Sequence, residues 1–455
     1  MATVSERLAQ FMQRQAAEGV PAPVRHEAKR LLLNQLKASV GATGNPTIRV
    51  LHDWALRNGA GARGSHVLWL GTETGAAQAA MVNGALFEVL DFHDTYIPCF
   101  MHAVSAVLPA VLALAEQRGS SGLATVDALA IGLEVELAVA SILMPAAYTR
   151  RGYVPAGLVG GVGATAACCV LAGLDPLRTR HALGLAMCTA FGLYESVGSD
   201  ALSYITGATA RSGLTCFELA EAGFDAPATA FEGERAMLAA HSDEAAEKIG
   251  PIVDSLGSSW RIFGQSYKTV PTETITHAPI ECVMALRPRA AGRSVARMRL
   301  GVQPIVVRIA DERRERFGRL MTSELQARFD TRFCAAAAWV RGRFTLDEMR
   351  EPAYTDETIL ALRDRIELVP DPGFATFEGC WLEVEFTDGS TERTRVERFV
   401  GTPDNPMSDA QLAGVFHVAA DGLLPAARAD ALLDAVWNLD AAPDLRRLFE
   451  LARLT

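Results

Sequence analysis

"VDALAIGLEVELAVASILM", Val126 to Met144, is the stretch whose reading decides the fold. Its apolar residues recur at helical spacing, and the same spacing runs from the start of the chain to about Arg261, with short Gly/Pro punctuation between segments. From about Gln265 to Asp404 the texture changes. "RMRLGVQPIVVRIAD" and "CWLEVEFTDGSTERTRVERFV" alternate as strands do, and Asp388-Gly389 is a tight-hairpin signal. Between them "RFCAAAAWVRGRF" and "TDETILALRDRI" read as helices. After "GTPDNPMSDAQL", with Ser408 as N-cap, helical spacing returns to the end. The predicted fold is mainly α: a large all-helical domain built from both chain ends, residues 1–265 and 405–455, and a smaller α+β domain, residues 266–404.

Composition bounds the function. With 455 residues, 49% hydrophobic and 21% charged, the chain suits a globular protein of two or three domains with a large core. Lys plus Arg number 43 against 53 Asp plus Glu, a net charge of −10, which argues against a general nucleic-acid or anionic-membrane surface. An anionic ligand must then be held by a local cluster. The opening "MATVSERLAQFMQRQ" reads as an amphipathic helix without a secretory pattern, so the expected compartment is the cytoplasm. Cys99, Cys168, Cys169, Cys188, Cys216, Cys282, Cys334 and Cys380 have apolar neighbours and no CxxC spacing, which favours buried reduced thiols over disulfides or zinc. "GLVGGVGATAACCVLAGL", Gly157 to Leu174, reaches spanning length but is Gly/Ala-rich and stands alone; a buried central helix is the better reading.

Three clusters carry candidate chemistry. The first is "LDFHDTYIPCFMHAVSAVLPA", residues 90–110. Asp91 and Thr95 share a face if the preceding helix persists that far, and Pro98 then breaks it. Asp91 and Asp94 fall near a helix C-terminus, where the macrodipole disfavours negative charge. His102 stands at the start of the next helix, where the dipole favours a neutral imidazole and free N–H groups favour an anion, so it is a usable base. The spacing suits equally a loop held by Asx-type bonds from the aspartates with His102 as a cap.

The second cluster, "YTRRGYVPAGLVGGVG", sets Arg150 and Arg151 ahead of Pro155 at a helix start, where arginines can clamp a carboxylate. Tyr153 beside two cations can exchange protons, or it is an ordinary cleft tyrosine. No strand precedes the glycines, so they indicate close helix packing rather than a dinucleotide site. The third, "GQSYKTVPTETITHAPIECVMAL", lies at the domain junction and contains Lys268, Glu273 and His277. A desolvated Lys268 can act as acid or base, but taken alone it reads as a solvated surface lysine.

The chain resembles the MmgE/PrpD family, which includes 2-methylcitrate dehydratase, cis-aconitate decarboxylase and iminodisuccinate epimerase. "VNGALFEVLDFHDT" is similar to the family's Asn-Gly and Asp-Phe-Asp-Asp-Thr pattern, and "HAVSAVLPAVLALAE" to a segment that usually begins His-Pro. "GVGATAACCVLAGLD", "GATARSGLTCFELAEAGFDAP", "SYKTVP", "RFCAAAAWVRGRF" and "VGTPDNPMSDAQL" follow in the family's order. The resemblance implies a helical domain formed by both chain ends, an α+β lid, an active site in the cleft between them, a homodimer, and neither metal nor organic cofactor. It matches Asp91, Thr95, His102 and Lys268 to catalytic positions. Tyr153 joins them as a candidate proton-transfer group, and Arg150, Arg151, Asp94, Glu273 and His277 are candidate substrate-binding residues.

Several positions depart from the family. Tyr153 stands where relatives carry a histidine, Leu202 and Ile205 replace a lysine and a histidine, Glu273 replaces a histidine or cysteine, and Phe333 replaces a tyrosine. These changes remove cations, and an unpaired carboxylate in a cleft is expensive, which argues against a triply charged citrate-like substrate. The expected function is a lyase acting on a small di- or tricarboxylate by proton abstraction next to a carboxylate. An epimerase of an iminodisuccinate-like dicarboxylate is the alternative, and an inactive carboxylate-binding homologue the second.

Overall fold

The computed structural model describes residues 2–59, 64–242, 246–318 and 321–454. The chain divides into two compact units, Met1–Ser266 with Ser408–Thr455, and Tyr267–Met407.

The first unit is a stack of apolar helices. The helices Ala76–Glu88, Val104–Arg118, Gly122–Leu143, Pro155–Ala172 and Ala201–Glu221 pack on one another. Val126–Met144 is helical to Leu143, as its spacing predicts. The Pro155 helix is long and apolar enough to cross a membrane, but 78% of that window is buried within the unit. Its glycines serve close packing: a Cβ at Gly163 would stand 2.6 Å from Glu136 Cβ, and one at Gly160 would stand 2.7 Å from Ala106 Cβ. At the crossing of the Ala76 and Ala201 helices, a Cβ on Gly207 would meet the Met81 carbonyl oxygen at 2.2 Å.

The chain's end returns to this unit. Ser408 caps the Asp409–Ala420 helix in a capping box with Gln411. Arg30 pairs with Asp409, and Lys29 Nζ stands 2.9 Å from Asp440 Oδ1, tying the Ala22–Val40 helix to the C-terminal segment.

The unit is not helical throughout. β1 (Ser65–Val67) pairs antiparallel with β2 (Thr72–Thr74), and β3 (Thr95–Tyr96) with β4 (Gln265–Ser266). Ladders of two or three residues are too short to show a period-two pattern. Seven cysteines are buried free thiols, but Cys188 is exposed at the end of the Pro176–Cys188 helix.

The second unit is built on β5 (Val295–Val302), β6 (Ile366–Pro370), β7 (Cys380–Phe386) and β8 (Thr391–Val396), in the order β6-β5-β7-β8. β5 and β6 are parallel and the other pairs antiparallel. The β7–β8 hairpin turns at Asp388-Gly389, where Gly389 has φ 83°. The helices Thr331–Arg341 and Glu357–Arg363 form where predicted. One expectation is corrected. In "RMRLGVQPIVVRIAD" the strand stops at Val302 and Pro304–Phe317 is a helix. Gln303 caps it, accepting from the Ile305 N–H at 2.7 Å, and Pro304 occupies the first turn. An apolar run of that length suits either structure, and the cap decides.

Gly207→Ala is expected to force the two helices apart and cost about 1–3 kcal/mol, read from urea denaturation. Glu281, on the His277–Leu286 helix, accepts from the Val400 N–H at 2.8 Å, yet burial pushes its carboxyl up to about 7. The folded state then binds this proton more tightly than the unfolded state, so stability falls as pH rises from the ordinary carboxyl range through 7. Glu281→Gln is therefore expected to melt like the parent near pH 5 and a few degrees higher at pH 8.

Candidate active site

The first cluster is positioned by the Ala76 helix. Asn83 bonds β1, its Oδ1 accepting from the Leu68 N–H at 2.9 Å and its Nδ2 donating to the His66 carbonyl at 3.0 Å. That pins the helix while Gly84 admits the Ala201 helix, so the Asn-Gly pair has a packing purpose. The helix ends at Glu88, and Asp91 takes a left-handed conformation, φ 49°, which aspartate tolerates better than most residues. Asp91 and Thr95 consequently do not share a helical face. Thr95 lies in β3 and pairs with Ser266. The turn at Asp91 and the pull of the β4 ladder end the helix well before Pro98.

His102 stands two residues before the Val104 helix. Its Nδ1–H donates to the Asp94 carbonyl at 2.8 Å, with Thr95 Oγ1 3.4 Å away. A carbonyl can only accept, so this bond places a proton on Nδ1, and in the neutral ring the lone pair is then on Nε2. The Asp94 carboxylate takes Gln35 Nε2–H at 2.5 Å and the Val104 N–H at 3.5 Å. Asp94, rather than His102, therefore serves the first turn of that helix. His93 is fully buried; its Nε2 is 3.7 Å from Glu88 Oε2 and 3.8 Å from Asp91 Oδ1, and its ring stands edge-on to His102, centroids 4.1 Å apart.

Three polar residues under this loop have no counterpart among the sequence-based candidates. Gln35 holds Asp94. Lys37, 1% exposed, donates to Asn34 Oδ1 at 2.7 Å and sets its ammonium 3.8 Å from the Phe92 ring centroid. Glu136 is fully buried, and neither carboxyl oxygen has a hydrogen-bond partner among the described residues. Burial, and secondarily the Asp94 charge, raise its pKa well above the ordinary carboxyl range. The signals were there to find: polar residues inside "RLLLNQLKASV", and the acids Glu134 and Glu136 inside the otherwise apolar stretch Leu129–Val139.

The second cluster lies in the same unit. Arg150 and Arg151 are exposed, and Arg151 Nη1 donates to the Ala240 carbonyl at 2.7 Å. Tyr153 is half-buried, bridged to Leu193, with its ring edge-on to His241 at 4.6 Å. Phe100, from the loop before His102, stacks on Tyr148 at 5.2 Å, and Tyr148 meets Tyr194 edge-on at 5.2 Å. That aromatic chain connects the first cluster's loop with the turn carrying Tyr153. Ile205 packs at Gly157 and Gly192, an apolar role in keeping with the loss of a cation there.

In the second unit Lys268 is 1% exposed, which overturns the reading of a solvated surface lysine. Glu273 is engaged by Arg313, with Nη2 donating to Oε1 at 2.7 Å. His277 opens its helix, 1% exposed, with its ring centroid 5.1 Å from that of Phe399. Phe333 is fully buried.

The geometry comprises an imidazole whose Nδ1–H is held by a carbonyl and buried carboxyl groups in the first unit, and a buried lysine in the second. Comparison with known proteins bears on it directly. The MmgE/PrpD N-terminal domain matches residues 6–249, and the MmgE/PrpD C-terminal domain matches residues 270–440. Human cis-aconitate decarboxylase is 26% identical over 375 residues, covering 80% of this chain and 77% of the relative. The Aspergillus terreus cis-aconitate decarboxylase is 23% identical over 471 residues, covering 98% and 95%. With both domains matched in order and the relatives aligned over most of their length, this chain belongs to the MmgE/PrpD family.

Proposed function

We propose that the protein is a lyase acting on a small di- or tricarboxylate by moving a proton at the carbon next to a carboxylate, with His102 as the base. The observation that carries this reading is the 2.8 Å bond from His102 Nδ1–H to the Asp94 carbonyl, which in the neutral ring leaves Nε2 as the basic nitrogen. Nε2 takes the substrate proton, and the electron pair left on carbon is delocalised into the neighbouring carboxylate. In an elimination that pair forms the double bond as the leaving hydroxyl departs with a proton from an acid, for which Lys268 and Tyr153 are the candidates. In a decarboxylation the same carbanion arises by loss of carbon dioxide, and the acid protonates it. Both routes need cations at the developing charge, a role assigned to Arg150 and Arg151. Asp91 and Thr95 orient substrate or base.

The relatives' names support decarboxylation of a carboxylic acid. The apolar Ile205 and Leu202, in place of basic residues, favour a substrate of lower charge. An epimerase remains the second reading, favoured by Tyr153 as a proton-exchanging group of different chemistry from histidine. The proposed setting is a cytoplasmic homodimer that binds small carboxylates.

Incubation with a panel of di- and tricarboxylates in deuterated buffer, followed by NMR, tests the reading. A lyase gives a new alkene or decarboxylated product carrying solvent deuterium; an epimerase gives deuterium exchange with inversion and no new product. His102→Ala is expected to lower kcat by about 10²–10⁴-fold. Wild-type rates in both His102→Ala and Lys268→Ala would refute the assigned roles.

A further inference from the structure

The short strand pair beside His102 carries a hydroxyl that the fold does not use. In the β3–β4 ladder Thr95 stands opposite Ser266, and Tyr96 opposite Gln265. Residues directly opposite in an antiparallel pair share a face, with Cβ atoms about 4.5–5.5 Å apart, and the next pair faces the other way. Thr95 Oγ1 lies 3.4 Å from His102 Nδ1, so the face holding Thr95 and Ser266 is the one turned to the imidazole. Gln265 goes with Tyr96 to the opposite face. Ser266 is 1% exposed, and its Oγ has no hydrogen-bond partner among the described residues.

A buried hydroxyl in that state destabilises the fold, and alanine would fill the same place without the penalty. Serine is usually able to avoid it, because its O–H rotates to suit and nearby backbone carbonyls accept. The ladder uses only the backbone at position 266, so the oxygen is not what holds β4 to β3. His102, by contrast, is half-buried, and a molecule that reaches its ring from solvent arrives beside this face.

We propose that Ser266 is a substrate-binding residue whose Oγ–H donates to a carboxylate oxygen of the molecule bound against His102, next to the Thr95 hydroxyl. The inference rests on the function proposed above for the class of substrate, and adds to it a donor that selects the ligand. A site whose hydroxyl is unpaired when empty gains most from a ligand that offers an oxygen there, and it discriminates against one that offers a methyl group or a hydrogen. It does so without adding charge, which suits a chain with Leu202 and Ile205 in place of basic residues.

Thermal melting with and without saturating malate, citramalate, citrate or cis-aconitate tests the assignment. Ser266→Ala is expected to melt no lower than the parent when free, because the unpaired hydroxyl is gone, yet to bind the acid that stabilises the parent about 10–100-fold more weakly, the worth of one hydrogen bond to a charged group. Gln265→Ala, on the other face of the same ladder, is expected to keep the parent's affinity, which separates loss of the hydroxyl from loosening of the strands. Should Ser266→Ala not fold, Ser266→Cys, close in shape with a weaker donor, gives the same comparison. A lower melting temperature with unchanged affinity makes the hydroxyl structural and overturns the assignment, as does equal weakening by Gln265→Ala, or no stabilisation of the parent by any of these acids. Activity separates the two proposals. Turnover by Ser266→Ala at the parental kcat/KM sinks only the role of Ser266, and affinity lost in Ser266→Ala with no carboxylate turned over by the parent sinks only the lyase.

Discussion

The hydrogen bonds converging on Asp94 organise the first cluster. Its carbonyl fixes the tautomer of His102, and its carboxylate is held by Gln35 while serving the first turn of the Val104 helix. One residue thus links the Ala22 helix, the loop after the Ala76 helix and the start of the Val104 helix. Without it the imidazole has no preferred tautomer, and the directed lone pair on which any base chemistry rests is lost.

Asp94 is a buried charge, and its surroundings limit the cost. Burial and the Asp94 charge raise the pKa of Glu136, which disfavours two like charges in the core. The Pro155 helix lacks side chains at 160 and 163, and this lets the Gly122 helix carry a carboxyl group into the packed centre. A single set of close helix approaches therefore provides the core and shields the polar loop above it.

Much of the fold was legible. Helical periodicity, the Ser408 cap, the Asp388-Gly389 hairpin and the glycine packing all follow from local rules that operate within a few residues. The errors fell where a local pattern was ambiguous. Pro304–Phe317 read as strand because a short apolar run fits both periods, and the Ala76 helix was extended past Glu88 because nothing local announced the left-handed turn at Asp91. The two-residue β3–β4 ladder joins residues far apart in sequence, which no periodicity can reveal.

The sequence by itself determined the helical body, the α+β segment and the residue types available at the first cluster, since spacing and composition dictate which faces must be buried. It could not say whether Lys268 is solvated, whether Asp94 or His102 serves the helix start, or that Gln35, Lys37 and Glu136 underlie the loop. Those are questions of burial and partner, and burial is set by contacts between segments distant in the chain. Only the tertiary structure decided them: it buries Lys268, and within the first unit it brings the Ala22 and Gly122 helices beneath residues 91–102.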